Sequence, residues 1–239
     1  MSLKVLQEKG GINSARQKLI NIAASAVDSS LRAFLRRFGV VRGVAVGDKV
    51  KSWDVLSTLN FIEQKVAKGE PVLDIGCYAS EIIVALHRIG FSNLHGVDLN
   101  SNLHLMPYHD SIRYETGDFM HTTFEDASFQ AITSISVIEH GFDGPSLLKE
   151  ISRLLKPSGY FIASFDYWPE KVDTTGVKLF GMDWKIFSKD EIVNFITEAA
   201  SYGLFPVGEM VYGGKDKVID CVGKQYTFAW MVIEKRSLI

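Results

Sequence analysis

Between residues 15 and 38, Leu19, Ile20, Ile22, Ala23, Val27, Leu31, Phe34 and Leu35 recur at spacings of three and four, while Arg16, Lys18, Arg32, Arg36 and Arg37 fall elsewhere on the cylinder. This periodicity predicts one or two amphipathic helices. Residues 39–47 read instead as a glycine-punctuated loop or strand. A further helix is expected from Ser52 or Trp53 to about Ala67, capped by Ser52 and closed by Lys68-Gly69-Glu70-Pro71.

From Pro71 the pattern changes. Short apolar runs alternate with helix-length amphipathic stretches, the arrangement of a parallel sheet built from β-α-β crossovers. Strands are expected at 72–77, 94–98, 112–115, 131–136 and 159–165, and helices at 80–89, 145–155 and 188–202. The tail differs, because 204–211 and 225–234 are β-rich and are joined by the turn-forming run Tyr212-Gly213-Gly214-Lys215-Asp216 with no crossover helix. An antiparallel pair is therefore expected to close the sheet.

The chain has 239 residues, 46% hydrophobic and 23% charged, enough to bury one sizeable core with a small appendage. The expected division is an N-terminal helical arm or cap over residues 1–50 and one domain over 51–239. A formal net charge of −2 favours neither nucleic acid nor an anionic membrane surface as partner. The basic amphipathic region is expected to pack on the main domain, with a membrane-surface helix or a partner helix that pairs two copies as a homodimer as the alternatives. Cys77 and Cys221 alone make neither a disulfide framework nor a zinc site, so a reducing cytoplasm is expected. No stretch approaches the roughly 20 apolar residues that span a bilayer, the first residues lack a signal-like apolar core, and the histidines show no metal-ligand spacing.

The chemistry-bearing residues fall at strand ends. In Asp74-Ile75-Gly76-Cys77, a strand carries an acid into a tight turn before a helix, at the sheet edge where open α/β folds bind ligands. Gly76 lets a ligand approach the backbone, and Asp74 attracts a cationic amino group. Asp98, ending Leu94-His95-Gly96-Val97-Asp98-Leu99, lies about 20 residues further on, where an acid accepts hydrogen bonds from ribose hydroxyls. Asp118 in Gly117-Asp118-Phe119 follows the next strand, with Phe119 suited to cover a ring. Any one acid also reads as an ordinary loop or cap residue; three at successive strand ends are harder to dismiss.

Val72-Leu73-Asp74-Ile75-Gly76-Cys77, Ile135-Ser136-Val137-Ile138-Glu139-His140 and Leu154-Leu155-Lys156-Pro157-Ser158-Gly159-Tyr160-Phe161 together resemble the class I S-adenosylmethionine-dependent methyltransferases, in particular the small-molecule, type 11-like group. The resemblance covers about residues 71–165 and, less specifically, the closing strands; residues 1–50 lie outside it. It implies an α/β, Rossmann-like doubly wound sheet of seven strands with the last antiparallel, and S-adenosylmethionine as cofactor. It implies contacts of Asp74 and Gly76 with the methionine part, Asp98 with the ribose, and Asp118 with Phe119 at the adenine. Cys77, Tyr78, Leu99 and Val137 would complete the cofactor site. Tyr78 and Ser80 stand where the family usually has glycine; Tyr78 is expected to turn its ring away or wall the pocket, and Ser80 to cap the following helix. A dinucleotide dehydrogenase shares the strand-turn-helix logic but asks for Gly-x-Gly-x-x-Gly, which the turn lacks. A non-catalytic relative remains an alternative, motivated by the same two replacements.

Methyl transfer asks for alignment and exclusion of water, and for a base only where the acceptor must lose a proton. His140 is the candidate base, with Glu139 behind it. The aromatic-rich loop over about 166–187 is expected to act as a lid, with Tyr167, Trp168, Phe180 and Trp184 as an acceptor wall; the competing reading is that these rings anchor the loop to the core. A small-molecule acceptor, such as a sugar or secondary-metabolite intermediate, is the expected partner.

Overall fold

The computed structural model describes residues 1–236. Five parallel strands form the centre of the sheet: β2 (Val72–Ile75), β3 (Leu94–Asp98), β4 (Ile112–Thr116), β5 (Phe129–Ile135) and β6 (Leu155–Tyr167). They lie in the order β4-β3-β2-β5-β6, reversing direction of travel beside β2, and β11 (Lys224–Lys235) pairs antiparallel with β6. The inner strands β2 and β5 and the second half of β6 read as near-continuous apolar runs because both faces are covered, whereas β4 at the sheet edge is largely exposed. Phe161, Ala163 and Phe165 of β6 face α5 (Gly144–Leu154) and α6 (Lys189–Ser201) in one apolar layer. Ile162 of β6 and Trp230 and Val232 of β11 face the opposite layer, built with α1 (Gly10–Asn21), α3 (Ser52–Lys65) and α4 (Glu81–Arg88).

The far edge of β11 departs from the expected two-strand closure. Three short strands share it: β10 (Ile219–Cys221) on Lys224–Tyr226, β1 (Leu3–Val5) on Ala229–Met231, and β9 (Leu204–Pro206) on Ile233–Lys235. Seven strands therefore lie in one row with β1 at the end, and β9 and β10 extend the same edge. The β-rich stretch after Gly203 forms a strand only over three residues, since Leu3 bridges to Met210 and takes the place further along. Leu3 is fully buried, and its strand was too short for periodicity to reveal.

The N-terminal helical region divides into α1 and α2 (Ser30–Arg37). Within α1, Ile12, Ala15 and Leu19 face inward, whereas Leu31, Phe34 and Phe38 in and just after α2 are exposed. Ser52 begins α3 but does not cap it: its hydroxyl donates to the Lys49 carbonyl and accepts from Arg16 Nε at 2.9 Å, while Asp48 caps the preceding single turn by accepting from Val50 N at 2.9 Å. Ser188 and Glu191 form a reciprocal capping box at the start of α6. Among the described residues, no helix is long and apolar enough to cross a membrane.

Candidate functional site

The turn after β2 is held by hydrogen bonds that only a tight, partly left-handed path allows. Gly76 has φ +69°, donates to the Val97 carbonyl at 2.9 Å, and presses against Val137, whose Cγ2 would lie 2.4 Å from any added Cβ. Glycine is therefore required both by conformation and by space. Ala79 is also left-handed, at φ +60°, and its carbonyl accepts from Gly47 N at 2.8 Å. The segment around Gly47 thus lies across the turn. A second tie runs from Val44 N to the Leu105 carbonyl at 3.1 Å.

Asp98 locks the turn to the end of β3. Its Oδ2 accepts from Tyr78 N at 2.9 Å and its Oδ1 from Asn100 N at 2.8 Å, leaving a lone pair on each oxygen. Tyr78 packs its half-buried ring on the layer of α1, α3 and α4. Cys77 is buried with Sγ filling the space beside Gly96, and burial pushes its thiol up. Its side chain therefore supports the turn from beneath. Ser80 has cap-like backbone angles but makes no capping bond.

Asp74 is almost fully buried. Oδ1 accepts from the Thr133 hydroxyl at 2.7 Å, whereas Oδ2 has no donor. Burial pushes this carboxyl up to about 7, against the opposing pull of the Ser80 and Thr133 hydroxyls. Asp118 is exposed, with Oδ1 accepting from Met120 N at 2.9 Å and His121 Nδ1 3.5 Å from Oδ2. Leu99 beside Asp98 is exposed, and Phe119 is packed into the layer with α5. Asp74, Gly76, Tyr78, Asp98, Leu99 and Asp118 thus come together along one edge of β2, β3 and β4.

The second half of the site follows β5 and β6. His140 is half-buried, its Nδ1 has no partner, and its ring meets Phe180 edge-on at a centroid distance of 5.2 Å. Burial lowers its pKa, so the imidazole is neutral at pH 7. Glu139 is buried with both carboxylate oxygens unpartnered. The loop after β6 carries the hairpin β7 (Lys178–Leu179) and β8 (Met182–Asp183), then zips back along the sheet end. Trp184 bridges to His140, and Phe187 bridges to Tyr167.

This zipper buries Tyr167 and Trp184. Tyr167 donates its hydroxyl to the Tyr212 carbonyl at 2.8 Å, and Trp184 Nε1 donates to Asp166 Oδ2 at 2.8 Å. Both rings anchor the loop, and their polar tips are used inward. Trp168 is half-buried with Lys217 4.9 Å above its ring, while Phe180 at the hairpin tip is 85% exposed beside His140. Of two surface clefts, one of about 530 Å³ lies between α2 and the Gly47 segment beside the turn, and one of about 630 Å³ lies at the opposite end of β3 and β4. In open α/β sheets the carboxyl ends of the strands, where the acids converge, are the ligand-binding end.

Sequence patterning missed the brace behind the turn. Glu81, in the first turn of α4, is buried and receives Arg16 of α1 through two bonds of 2.7 and 2.8 Å, together with Ala26 N at 2.8 Å. Arg16 looked like one of several solvent-facing cations, and only its tertiary partner distinguishes it. Among the described residues, no group of three or more histidine, cysteine or acidic side chains is arranged to hold a metal ion.

Known proteins share parts of this sequence and this fold. A family model described as a methyltransferase domain matches residues 73–163. The ubiquinone biosynthesis O-methyltransferase of Coxiella burnetii is 32% identical over 108 residues, covering 42% of this chain and 46% of that protein. A sterol 24-C-methyltransferase of Aspergillus fumigatus is 31% identical over 106 residues, 40% of this chain and 28% of the relative. The chain thus spans about half the length of the bacterial relative it matches and less of the fungal one. Among solved structures, a SAM-dependent methyltransferase of Methanosarcina mazei superposes with a TM-score of 0.56 at 18% identity, covering 74% of this chain and 97% of that one. The geranyl diphosphate C-methyltransferase of Streptomyces coelicolor gives 0.57 at 14% identity, covering 81% and 90%. Strand order and glycine turn thus give the chain the fold of the S-adenosylmethionine-dependent methyltransferases, and residues 73–163 match the methyltransferase-domain model.

Proposed function

We propose that the protein transfers the methyl group of S-adenosylmethionine to an oxygen or nitrogen of a small-molecule acceptor. The observation that carries this reading is the convergence of Asp74, Asp98 and Asp118 on one sheet edge around Gly76. The orphaned, buried Oδ2 of Asp74 fits the cationic amino group of the methionine part. Asp98, already fixed by two backbone donors, offers its remaining lone pairs to the ribose hydroxyls, and exposed Asp118 is the adenine partner. Backbone at Gly76, Cys77 and Tyr78, with the apolar surfaces of Leu99, Phe119 and Val137, completes the cradle.

The cofactor supplies a methyl group on a cationic sulfur, open to in-line displacement. What the protein adds is alignment and exclusion of water. Asp98 and the Gly47 segment set the turn's shape before anything binds, which limits the ordering required on binding. On the acceptor side, neutral His140 can take a proton, and Phe180 and Trp168 offer ring faces to an apolar or cyclic molecule. Trp184 and Tyr167 hold that wall in place from below. The ubiquinone and sterol relatives, by name, favour a small organic acceptor. The exposed Leu31, Phe34 and Phe38 support pairing of two copies through the N-terminal helices, and free Cys77 and Cys221 support a reducing, cytoplasmic setting.

Calorimetric titration with S-adenosylhomocysteine tests the reading. Saturable binding is expected, weakened at least about tenfold by Asp98→Ala through loss of charge-assisted hydrogen bonds. Undiminished binding in that variant would count against the site, and competition by NAD(P) would favour an oxidoreductase instead.

A further inference from the structure

An amphipathic helix on a protein surface ordinarily turns its apolar stripe inward. α2 does the reverse. Leu31, Phe34 and, just after the helix, Phe38 are 69%, 57% and 65% exposed, and the rings of Phe34 and Phe38 meet at a centroid distance of 4.7 Å. The other side of the helix, with Ser30, Ala33, Arg36 and Arg37, lines the cleft of about 530 Å³ and shares it with Gly47 and Lys49. No residue of α2 is buried. Its polar side thus looks onto open space rather than onto packed side chains.

The charges of this cleft do not balance. The chain as a whole has a formal net charge of −2, yet residues 29–47 hold four arginines and no acid. Asp28, the one carboxylate in the lining, is already shared: Arg36 Nε lies 2.7 Å from its Oδ2 and Arg32 Nε 2.9 Å from its Oδ1. The Arg36 hydrogen bond holds Asp28 below the usual carboxylate range. Arg36 also donates to the carbonyls of Arg42 and Gly43 at 3.2 and 2.7 Å, so its guanidinium pins the loop after α2. Arg37 and Lys49 stand apart from this network. Among the described residues, neither has a hydrogen-bond or ion-pair partner, and the cleft brings them together from two separate elements.

Small residues keep the space open. Ala33 and Ala45 line it, and Gly47, at φ +81°, has no room for a side chain, since an added Cβ would lie 2.8 Å from Val27 Cγ2. Gly47 N donates to the Ala79 carbonyl at 2.8 Å, so one wall of the cleft is the segment that lies across the glycine turn. A cleft dominated by one sign of charge concentrates its field and draws in the opposite sign. Val27 and Val46 add apolar surface, and the volume is that of a pocket for a small organic molecule.

We propose that the cleft between α2 and the Gly47 segment binds a small organic anion, its phosphate or carboxylate group held by Arg37 and Lys49 and its apolar body against Val27 and Val46. Arg37 supplies a planar fork of donors and Lys49 a point charge, the two ways in which proteins hold such groups. The site lies beside the cofactor edge and does not depend on the methyltransferase reading. The outward rings of α2 remain available for pairing two copies of the chain.

The test uses the full-length protein labelled with ¹⁵N, titrated in turn with phenyl phosphate, benzoate, inorganic phosphate and benzyl alcohol at constant ionic strength. Saturable shifts centred on the amides of Ser30, Ala33 and Gly47 are expected with phenyl phosphate or benzoate, at an affinity about tenfold or more above that for inorganic phosphate and benzyl alcohol. Silence with both organic anions overturns the proposal. Equal affinity for inorganic phosphate would mean a bare-anion site, and equal affinity for benzyl alcohol an apolar one; either overturns it. Arg37→Gln and Lys49→Gln are each expected to weaken binding about tenfold, the scale of one charge-assisted hydrogen bond, whereas Arg42→Gln, which removes an exposed arginine outside the cleft lining, leaves it unchanged. Equal loss in all three would mean a general response to charge and contradict the site, as would no loss in any. The amide spectrum away from the cleft reports that each variant is folded. The titration is then repeated with S-adenosylhomocysteine at saturation. Retained shifts set the anion apart from the cofactor, and their loss would mean that it had occupied the cofactor pocket, which overturns the cleft. Should S-adenosylhomocysteine itself fail to bind, the methyltransferase reading falls and the first titration still decides the cleft.

Discussion

The two halves of the site treat their carboxylates in opposite ways. On the cofactor side, Asp98 is bonded by Tyr78 N and Asn100 N, and Asp118 by Met120 N, so both acids shape loops at the strand ends, and only buried Asp74 keeps one oxygen without a donor. On the acceptor side, Asp54, Glu139 and Asp166 come from three separate elements and keep five oxygens without donors. The first arrangement is a backbone mould, in which the charges of Asp98 and Asp118 are already met by peptide donors and Asp74 alone holds an oxygen in reserve. The second leaves buried carboxylates without donors. A site that must orient a constant ligand and a site that must move a proton are expected to differ in this manner, since pre-formed dipoles favour geometry and uncompensated charge favours titration.

The contrast breaks most severely at the brace behind the mould. Arg16→Ala leaves Glu81 buried with only peptide donors, and chemical denaturation is expected to show a loss of about 3 kcal/mol, the scale for removing one partner of a buried ion pair. Nearly as large is Gly76→Ala. A methyl group 2.4 Å from Val137 Cγ2, at a φ of +69°, is expected to remove about 2–3 kcal/mol by overpacking and backbone strain and to abolish adenosylhomocysteine binding. Adding Val137→Ala should restore part of the stability and identify the clash as the cause.

On the acceptor side the sign reverses. Asp54 has its carboxyl pushed up to about 7 in the folded protein, against an ordinary value of 3.8. Between those values the folded state binds more protons than the unfolded state, so stability falls as pH rises through this window and the penalty is complete above about 7. Asp54→Asn removes the charge and is expected to stabilise the protein by about 2 kcal/mol at pH 8, with the gain shrinking toward pH 4. Thermal melts of both proteins across that range check the slope. A uniform gain at every pH would mean that packing, rather than ionisation, separates the two.

The smallest effect belongs to the rim. Phe180→Ala is expected to change stability by less than about 0.5 kcal/mol, because the ring is 85% exposed, while raising the acceptor KM and leaving adenosylhomocysteine affinity unchanged. Equal loss on both ligands would move Phe180 from the acceptor wall to the cofactor.

Residues that act within one strand and its following turn were legible in the sequence; residues that act across elements were not. The runs from Val72, Leu94, Ala131 and Gly159 identified parallel strands because those strands are buried over most of their length on both faces, whereas the edge strand from Ile112 is largely exposed. Asp74, Asp98 and Asp118 stood out because strand ends recur at regular intervals. Leu3–Val5 escaped notice because three residues carry no period, although they complete the row beside β11. Trp184 and Tyr167 resembled acceptor-wall aromatics on a long loop, since composition does not tell an anchor from a lid; their inward hydrogen bonds to Asp166 and Tyr212 do. Asp54, a first-turn acid of α3, carries no sequence signal that sets it apart; its burial is a product of the fold.

The most direct measurement is a crystal structure of the protein with S-adenosylhomocysteine. The account predicts density for the ribose at Asp98, the adenine beside Asp118, and the amino group at Asp74 Oδ2, with the sulfur facing Glu139, His140 and Phe180. Density for the nucleoside anywhere other than along the ends of β2, β3 and β4 would contradict it.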